Sequence, residues 1–109
     1  MTLREFRDIL CTVKNVPVFH KTAQKSSEYI VWLEVNGGLG VEADGERAEN
    51  GMRIAVDYFT KAEYSTVPTE IELLLSQHDE ICIDGPVIDY EDDTGYTHYS
   101  YDVEVYGRG

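Results

Sequence analysis

Residues 51–78 constrain the fold of this 109-residue chain more than any other part. Apolar and polar side chains alternate through residues 52–59, which is the period-two pattern of a half-buried strand. A polar bridge, residues 60–65, follows this strand. Apolar residues then recur at helical spacing, at Val67, Ile71, Leu74 and Leu75. This succession of strand, turn and helix predicts a compact α+β domain.

A helix is predicted at the start of the chain, over about residues 3–14. Thr2 and Glu5 have the spacing of a capping box, in which each side chain satisfies a free amide of the first turn. Pro17 lies just beyond the helix, and the residue before a proline disfavours helical geometry. Residues 18–19 then read as a short strand or extended segment.

Residues 28–35 form the strongest predicted strand, and both of its faces are apolar. We expect one set of side chains to point into the core, namely Tyr29, Val31, Leu33 and Val35. Ile30 and Trp32 are then expected on the opposite face, with Glu34. Two apolar faces indicate a central strand, or a strand covered on its second face by another subunit.

The remaining strands flank the second helix. Residues 39–43 are predicted to form a short strand before a polar loop at 44–50. The chain closes with a hairpin of residues 80–90 and 97–105, whose first strand is interrupted by a bend at 84–86. The turn of this hairpin is placed at residues 91–95.

These elements predict an α+β fold with the order α-β-β-β-α-β-β in a single domain of residues 1–109. The economical arrangement is an antiparallel sheet of four to five strands with both helices on one face. Trp32 and Phe59 are expected on the other face. If they are exposed there, they form an apolar patch that predicts association.

The charge of the chain restricts its partners. Nine Lys and Arg residues stand against 21 Asp and Glu residues, which gives a formal net charge of −12. Such a surface repels phosphate, so ordinary nucleic-acid binding is not expected. The acidity is consistent with simple solubility, with a passage through which DNA slides without sticking, or with a DNA mimic that occupies a basic protein.

No catalytic or cofactor motif is recognisable, so we expect neither enzyme activity nor a cofactor. His20, His78 and His98 lie far apart and do not form the usual spacing of a zinc site, and the acidic run at 89–93 lacks the pattern of a calcium loop. No serine lies in a nucleophile elbow. The sequence also has no apolar stretch long enough to span a bilayer and no signal-peptide pattern, which predicts a cytoplasmic site of synthesis.

Taken together, the segments resemble the tail-completion, or tail-terminator, proteins of long-tailed bacteriophages and prophages. The matching pieces are the opening helix with V-P-V, the strand E-Y-I-V-W-L-E-V, the hairpin A-D-G-E-R-A-E-N-G, the strand M-R-I-A-V-D-Y-F-T-K, the helix T-E-I-E-L-L-L and the closing Y-T-H-Y-S-Y-D-V-E-V. The resemblance covers nearly the whole chain and is one of pattern and element order.

This resemblance implies a structural protein that assembles into a ring, usually a hexamer. The ring would cap the tail tube, stop its growth and join the tail to the head, with tail tube and head connector proteins as partners. It would be assembled in the host cytoplasm and end in the virion. The alternative hypothesis is an acidic inhibitor or DNA mimic that binds a basic partner.

Subunit or partner contacts are expected on the face with the tryptophan, on the 44–50 loop and on the turn of the last hairpin. The predicted interface residues are Trp32, Asp44, Glu46, Arg47, Glu49, Phe59, Tyr90, Asp92 and Asp93.

Overall fold

A computed structural model describes residues 2–13, 16–24, 26–35 and 51–106 of the protein. Two helices and five strands lie in these ranges. They are α1 (Leu3–Leu10), β1 (Val18–His20), β2 (Glu28–Glu34), β3 (Gly51–Thr60), α2 (Val67–Ser76), β4 (Ile81–Tyr90) and β5 (Thr97–Tyr106). The predicted α+β class is therefore confirmed, and the predicted order α-β-β-β-α-β-β matches except that β1 is an extra strand before β2. The strand predicted at residues 39–43 lies outside the described residues.

The five strands form one sheet in the order β1-β2-β3-β5-β4. The prediction of an antiparallel sheet holds for β2, β3, β5 and β4 but is wrong for β1, which runs parallel to β2. The chain must therefore return between β1 and β2, and Lys21, with φ of 78°, begins that return. The sequence could not reveal this direction, because alternation looks the same in parallel and antiparallel strands.

The prediction of which side of β2 faces the core is also wrong. Pairing of β2 with β3 places Ile30 opposite Tyr58 and Trp32 opposite Val56. Ile30 and Trp32 are consequently buried against the helices, and only 2% of Trp32 is exposed. Tyr29, Val31 and Leu33 point to the opposite side. Since both sides of this strand are apolar, only the pairing register could decide between them.

The core lies between the helices and one face of the sheet. Phe6 and Leu10 of α1, and Ile71 and Leu75 of α2, are fully buried. Phe6 meets the Trp32 ring edge to face, with 5.6 Å between the ring centroids. The buried residues of the sheet that join them are Ile30, Trp32, Ile54, Val56, Tyr58, Ile81, Tyr101, Val103 and Val105. Each fully buried apolar side chain of this size contributes roughly 1.5–3 kcal/mol to folding.

Helix α1 has the predicted capping box but ends earlier than predicted. Thr2 Oγ1 accepts from the amide of Glu5, whose carboxylate accepts from the amide of Thr2. The helix stops at Leu10, whereas the pattern predicted about residue 14. The hydroxyl of Thr12 donates to the carbonyl of Ile9 at 2.7 Å, and such side-chain bonds compete with helix continuation. A tighter turn follows, and it still buries Val13.

The second helix begins directly after the polar bridge, as predicted. Thr66 is the N-cap residue, but its side chain makes no cap hydrogen bond. Ser65 Oγ instead accepts from the amide of Val67 at 3.2 Å. Within the described ranges, neither helix is both long enough and apolar enough to cross a bilayer.

Candidate functional site: the outer face of the sheet

The face of the sheet opposite the helices, here the outer face, is the candidate site. On β3 it carries the alternate residues Arg53, Ala55, Asp57 and Phe59, since their neighbours Ile54, Val56 and Tyr58 are in the core. Among the described elements, none packs over this face. Its side chains form cross-strand rows because the register of β2, β3 and β5 aligns them.

The first row is a stack of aromatic rings across three strands. Tyr29, Phe59 and His98 are cross-strand neighbours. The ring centroids of Tyr29 and Phe59 are 4.8 Å apart, and those of Phe59 and His98 are 4.1 Å apart, with nearly parallel planes in both pairs. Tyr96 closes one side of the stack edge-on, and the Lys61 ammonium lies 5.0 Å from the Tyr96 ring centre. This row stiffens the end of the outer face that lies nearest the turn between β4 and β5.

The second row pairs Asp57 with Ser100, and both contact His98 of the first row, but the geometry of the three groups does not match a catalytic triad. His98 Nε2 donates to Asp57 Oδ1 at 2.9 Å. Ser100 Oγ also donates to Asp57 Oδ1 at 2.9 Å, and it lies 3.1 Å from the same Nε2 atom of His98. In a triad the carboxylate binds the other ring nitrogen and leaves Nε2 for the hydroxyl. Here the three groups form a closed polar cluster that links β3 to β5.

The lower end of the outer face is a shallow, mostly acidic hollow of about 260 Å³. Arg53 lies 3.7 Å from the carboxylate of Asp102, and both are well exposed. Exposed ion pairs of this kind contribute little to stability. The residues around the hollow are Arg53, Cys82, Ile83, Asp84, Asp102 and Glu104.

Apolar side chains occupy the outer face where β1, β2 and β3 meet. Phe19 pairs with Val31, and Leu33 pairs with Ala55. All four are half-buried, and we call them the apolar patch. Within the described part of the chain, some of their apolar surface stays uncovered beside the polar cluster and the acidic hollow.

The structure separates the predicted interface residues into three groups. Trp32 is in the core, so its prediction as an interface residue is wrong. The pairing register of β2 with β3 places it on the side that the helices cover. Phe59 is on the outer face as predicted, although it is half-buried within the aromatic stack. Tyr90, Asp92 and Asp93 are exposed at the hairpin end of β4.

The predicted residues of the 44–50 loop, Asp44, Glu46, Arg47 and Glu49, lie outside the described residues. Sequence reasoning missed two arrangements elsewhere. One is the cluster of Asp57, His98 and Ser100, which only the strand register brings together. The other is His20, which stacks on the buried Trp32 ring at 3.9 Å and bonds the carboxylate of Glu34 at 2.7 Å. The pKa of Glu34 is lowered, mainly by its hydrogen bond with His20.

Two tyrosine hydroxyls on the helix side of the sheet donate to carboxylates. Tyr58 bonds Glu28 and lies 2.7 Å from Ser65 Oγ, while Tyr101 donates to Glu72 Oε2 at 2.9 Å. Burial, followed by the bond to Glu28, raises the pKa of Tyr58 to about 12. Burial and Glu72 raise the pKa of Tyr101 as well. These bonds position side chains at the core boundary.

These tyrosines predict a loss of stability at alkaline pH. Tyrosines of the unfolded chain ionise near pH 10.0, whereas Tyr58 stays protonated in the fold to about pH 12. Its stabilising contribution is therefore complete below pH 10 and is lost as the pH rises toward 12. Urea unfolding measured between pH 8 and pH 12 checks this, at roughly one-unit steps. Tyr58→Phe should weaken the pH dependence, whereas Tyr64→Phe, at an exposed position, should leave it unchanged.

A groove of about 410 Å³ lies between the turn that follows α1 and helix α2, on the other side of the molecule. It is lined by Thr12, Val13, Glu70, Leu73, Leu74 and Gln77. These residues include one carboxylate and no nucleophile paired with a base. Within the described part of the chain, His, Cys, Asp and Glu side chains do not gather in threes that could hold a metal ion.

Comparison with known proteins gives no family assignment: no protein-family model, no curated protein and no solved structure matches this chain. The function must therefore be argued from the surface itself.

Proposed function

We propose that this protein is a tail terminator of a long-tailed phage or prophage, with a structural role and no enzymatic one. In this proposal several copies, six in the usual case, form a ring that caps the tail tube and stops its growth. The ring then joins the tail to the head. Its partners are other copies of itself, the tail tube protein and the head connector proteins.

The observation that carries the proposal is the apolar patch on the outer face. Both described helices pack on the opposite side of the sheet, so Phe19, Val31 and Leu33 remain half-buried. Covering these side chains with a neighbouring subunit would remove apolar surface from water. The rigid aromatic stack beside the patch offers a well-ordered surface for such a contact, which lowers the entropy lost on association.

The acidity of the chain fits a ring through which DNA passes. With a formal net charge of −12, a lumen lined by this protein would attract few phosphates and allow the genome to slide. We place the protein in the host cytoplasm during assembly and at the head–tail interface of the finished virion. Asp92 and Asp93, exposed in the turn after β4, are proposed to lie at a docking surface of the ring.

The polar cluster of the outer face supports a structural role. Asp57 and Ser100 both lie within hydrogen-bond distance of His98 Nε2. Because this nitrogen already donates to Asp57, it is not free to accept the serine proton. A cross-strand clamp of this kind stabilises the sheet beneath a contact surface.

Electron microscopy of phage particles that lack the protein tests the proposal. Removing its gene from the phage or prophage genome should give over-long tails, or heads and tails that stay separate, because tube growth is no longer stopped. Supplying the protein from a plasmid should restore joined particles with tails of uniform length. Normal particles in the absence of the protein would contradict the proposed function.

A further inference from the structure

A second surface, distinct from the outer face, lies at the free edge of the sheet. Strand β4 is the last strand in the order β1-β2-β3-β5-β4, so only β5 pairs with it among the described strands. Three large apolar side chains near its end are well exposed: Val87 by 67%, Ile88 by 58% and Tyr90 by 64%. Exposed apolar edge strands are templates for pairing with another chain, and proteins usually protect them.

The bend in the middle of β4 is protected in this way, whereas no such feature follows it among the described residues of the strand. A bulge between Asp84 and Val87 breaks the pairing register with β5. Pro86 within it has no amide to offer an added strand. Beyond the bulge, regular pairing with β5 resumes at Val87 and continues to Tyr90. Among the described residues, the exposed apolar part of the edge is therefore residues 87–90.

The backbone amide and carbonyl groups of Ile88 and Tyr90 point away from β5. The amide of Glu91 donates to the carbonyl of Tyr96 at 2.8 Å, which marks a hydrogen-bonded pair of the hairpin. Since bonded and non-bonded pairs alternate along an antiparallel ladder, Asp89 is also bonded to β5. The amides and carbonyls of Ile88 and Tyr90 then face the free edge, where they can form hydrogen bonds with an added strand.

The two faces of this edge differ in chemistry. Ile88 and Tyr90 are on the helix side of the sheet, because they pair with Tyr99 and Thr97. Asp89 is on the outer side, opposite His98, and Asp84 lies on the same side below the bulge. An added strand would therefore place one set of alternate residues beside Ile88 and Tyr90, and the other set beside Val87 and the carboxylate of Asp89.

Charge determines which strand fits. A second copy of this chain would bring another acidic strand against Asp84 and Asp89, and like charges on neighbouring strands are destabilising. The formal net charge of −12 adds general repulsion between copies. A segment with Lys or Arg at alternate positions would instead meet these carboxylates with complementary charge.

We propose that residues 87–90 bind an extended basic segment of a partner protein, which adds to the sheet as a strand beside β4. Its apolar residues contact Ile88 and Tyr90, and its Lys or Arg residues contact Asp89. The inference stands on the strand edge and does not require the tail-terminator function.

The test uses the full chain and a fluorescein-labelled heptapeptide of alternating lysine and valine. Binding is followed by fluorescence anisotropy at low salt. Asp89→Lys should weaken the peptide affinity by about tenfold, because it places like charges side by side. Asp8→Lys, on the exposed surface of α1, makes the same charge change elsewhere and should alter the affinity by less than about twofold. A peptide of the same composition with its lysines and valines in blocks should bind more weakly.

Amide hydrogen exchange of the unsubstituted protein gives a second readout, which does not depend on whether a variant folds. On addition of the alternating peptide, the amides of Ile88 and Tyr90 should gain protection, whereas that of Asp89, already bonded to β5, should not change. Binding of the peptide without protection of these two amides would overturn the proposal. Equal binding of the block peptide would also overturn it, as would concentration-dependent protection of the two amides in the protein alone.

Discussion

Replacing Trp32 with alanine should lower the free energy of unfolding by about 3–5 kcal/mol, the range measured for large aromatic residues removed from protein cores. Trp32 is 2% exposed and packs between the Phe6 ring, at 5.6 Å, and the His20 ring, at 3.9 Å. Truncation would leave a cavity lined by these rings that the rigid sheet cannot close. Urea unfolding followed by circular dichroism measures the loss, since the variant removes the only tryptophan of the chain.

The matched control is Leu33→Ala, at the next position of the same strand. Leu33 belongs to the apolar patch on the outer face and is half-buried, so its truncation should cost no more than about 1 kcal/mol in the monomer. This pair of variants tests which face of β2 is inside. A larger loss for Leu33→Ala than for Trp32→Ala would show that the strand faces the other way.

Gly85→Ala should destabilise the fold by about 1–3 kcal/mol, which is the usual cost of a strained backbone position. The φ angle of Gly85 is +117°, a region that residues with a side chain rarely adopt. A Cβ atom at this position would also lie 2.9 Å from the carbonyl oxygen of Ser100 on the neighbouring strand. Thermal or urea unfolding of the variant measures the effect.

Gly95→Ala separates these two causes. Gly95 also has a positive φ, of +81°, but among the described residues other than its chain neighbours no atom lies within 4 Å of the Cβ that alanine would add. Only the backbone cost remains, which is roughly 1 kcal/mol. Gly85→Ala should therefore be the more destabilising of the two variants. Equal losses would mean that the approach of Ser100 to the bulge is not as close as described.

The regular parts of this fold could be predicted because local chemistry decides them. Strands β3 and β5 each have one apolar face, so their alternation predicts both the strand and its inward side. The capping box of Thr2 and Glu5 predicts where α1 begins, and the 84–86 segment predicts the bend of β4. The end of α1 was harder to predict, since a single side-chain bond from Thr12 changes it.

Other features depend on strand pairing, which a single sequence does not reveal. The inward face of β2 follows from its register with β3, and the parallel direction of β1 requires a return of the chain that begins at Lys21. The cluster of Asp57, His98 and Ser100 joins residues that are far apart in the chain. The free edge at 87–90 likewise requires the order of strands, although the exposed turn beside it could be predicted from its acidic residues.

In the proposed ring, a neighbouring subunit covers the apolar patch, and complementation of tail assembly tests this most directly. Leu33→Glu places a charge in the patch opposite Ala55, whereas Thr69→Glu adds the same charge to the exposed surface of α2. Both variants are supplied to phage that lack the protein, after circular dichroism has shown that they fold. Electron microscopy should then show tails of normal length with Thr69→Glu and over-long or unjoined tails with Leu33→Glu. Normal, joined tails with Leu33→Glu would contradict the claim that the outer face is a subunit contact.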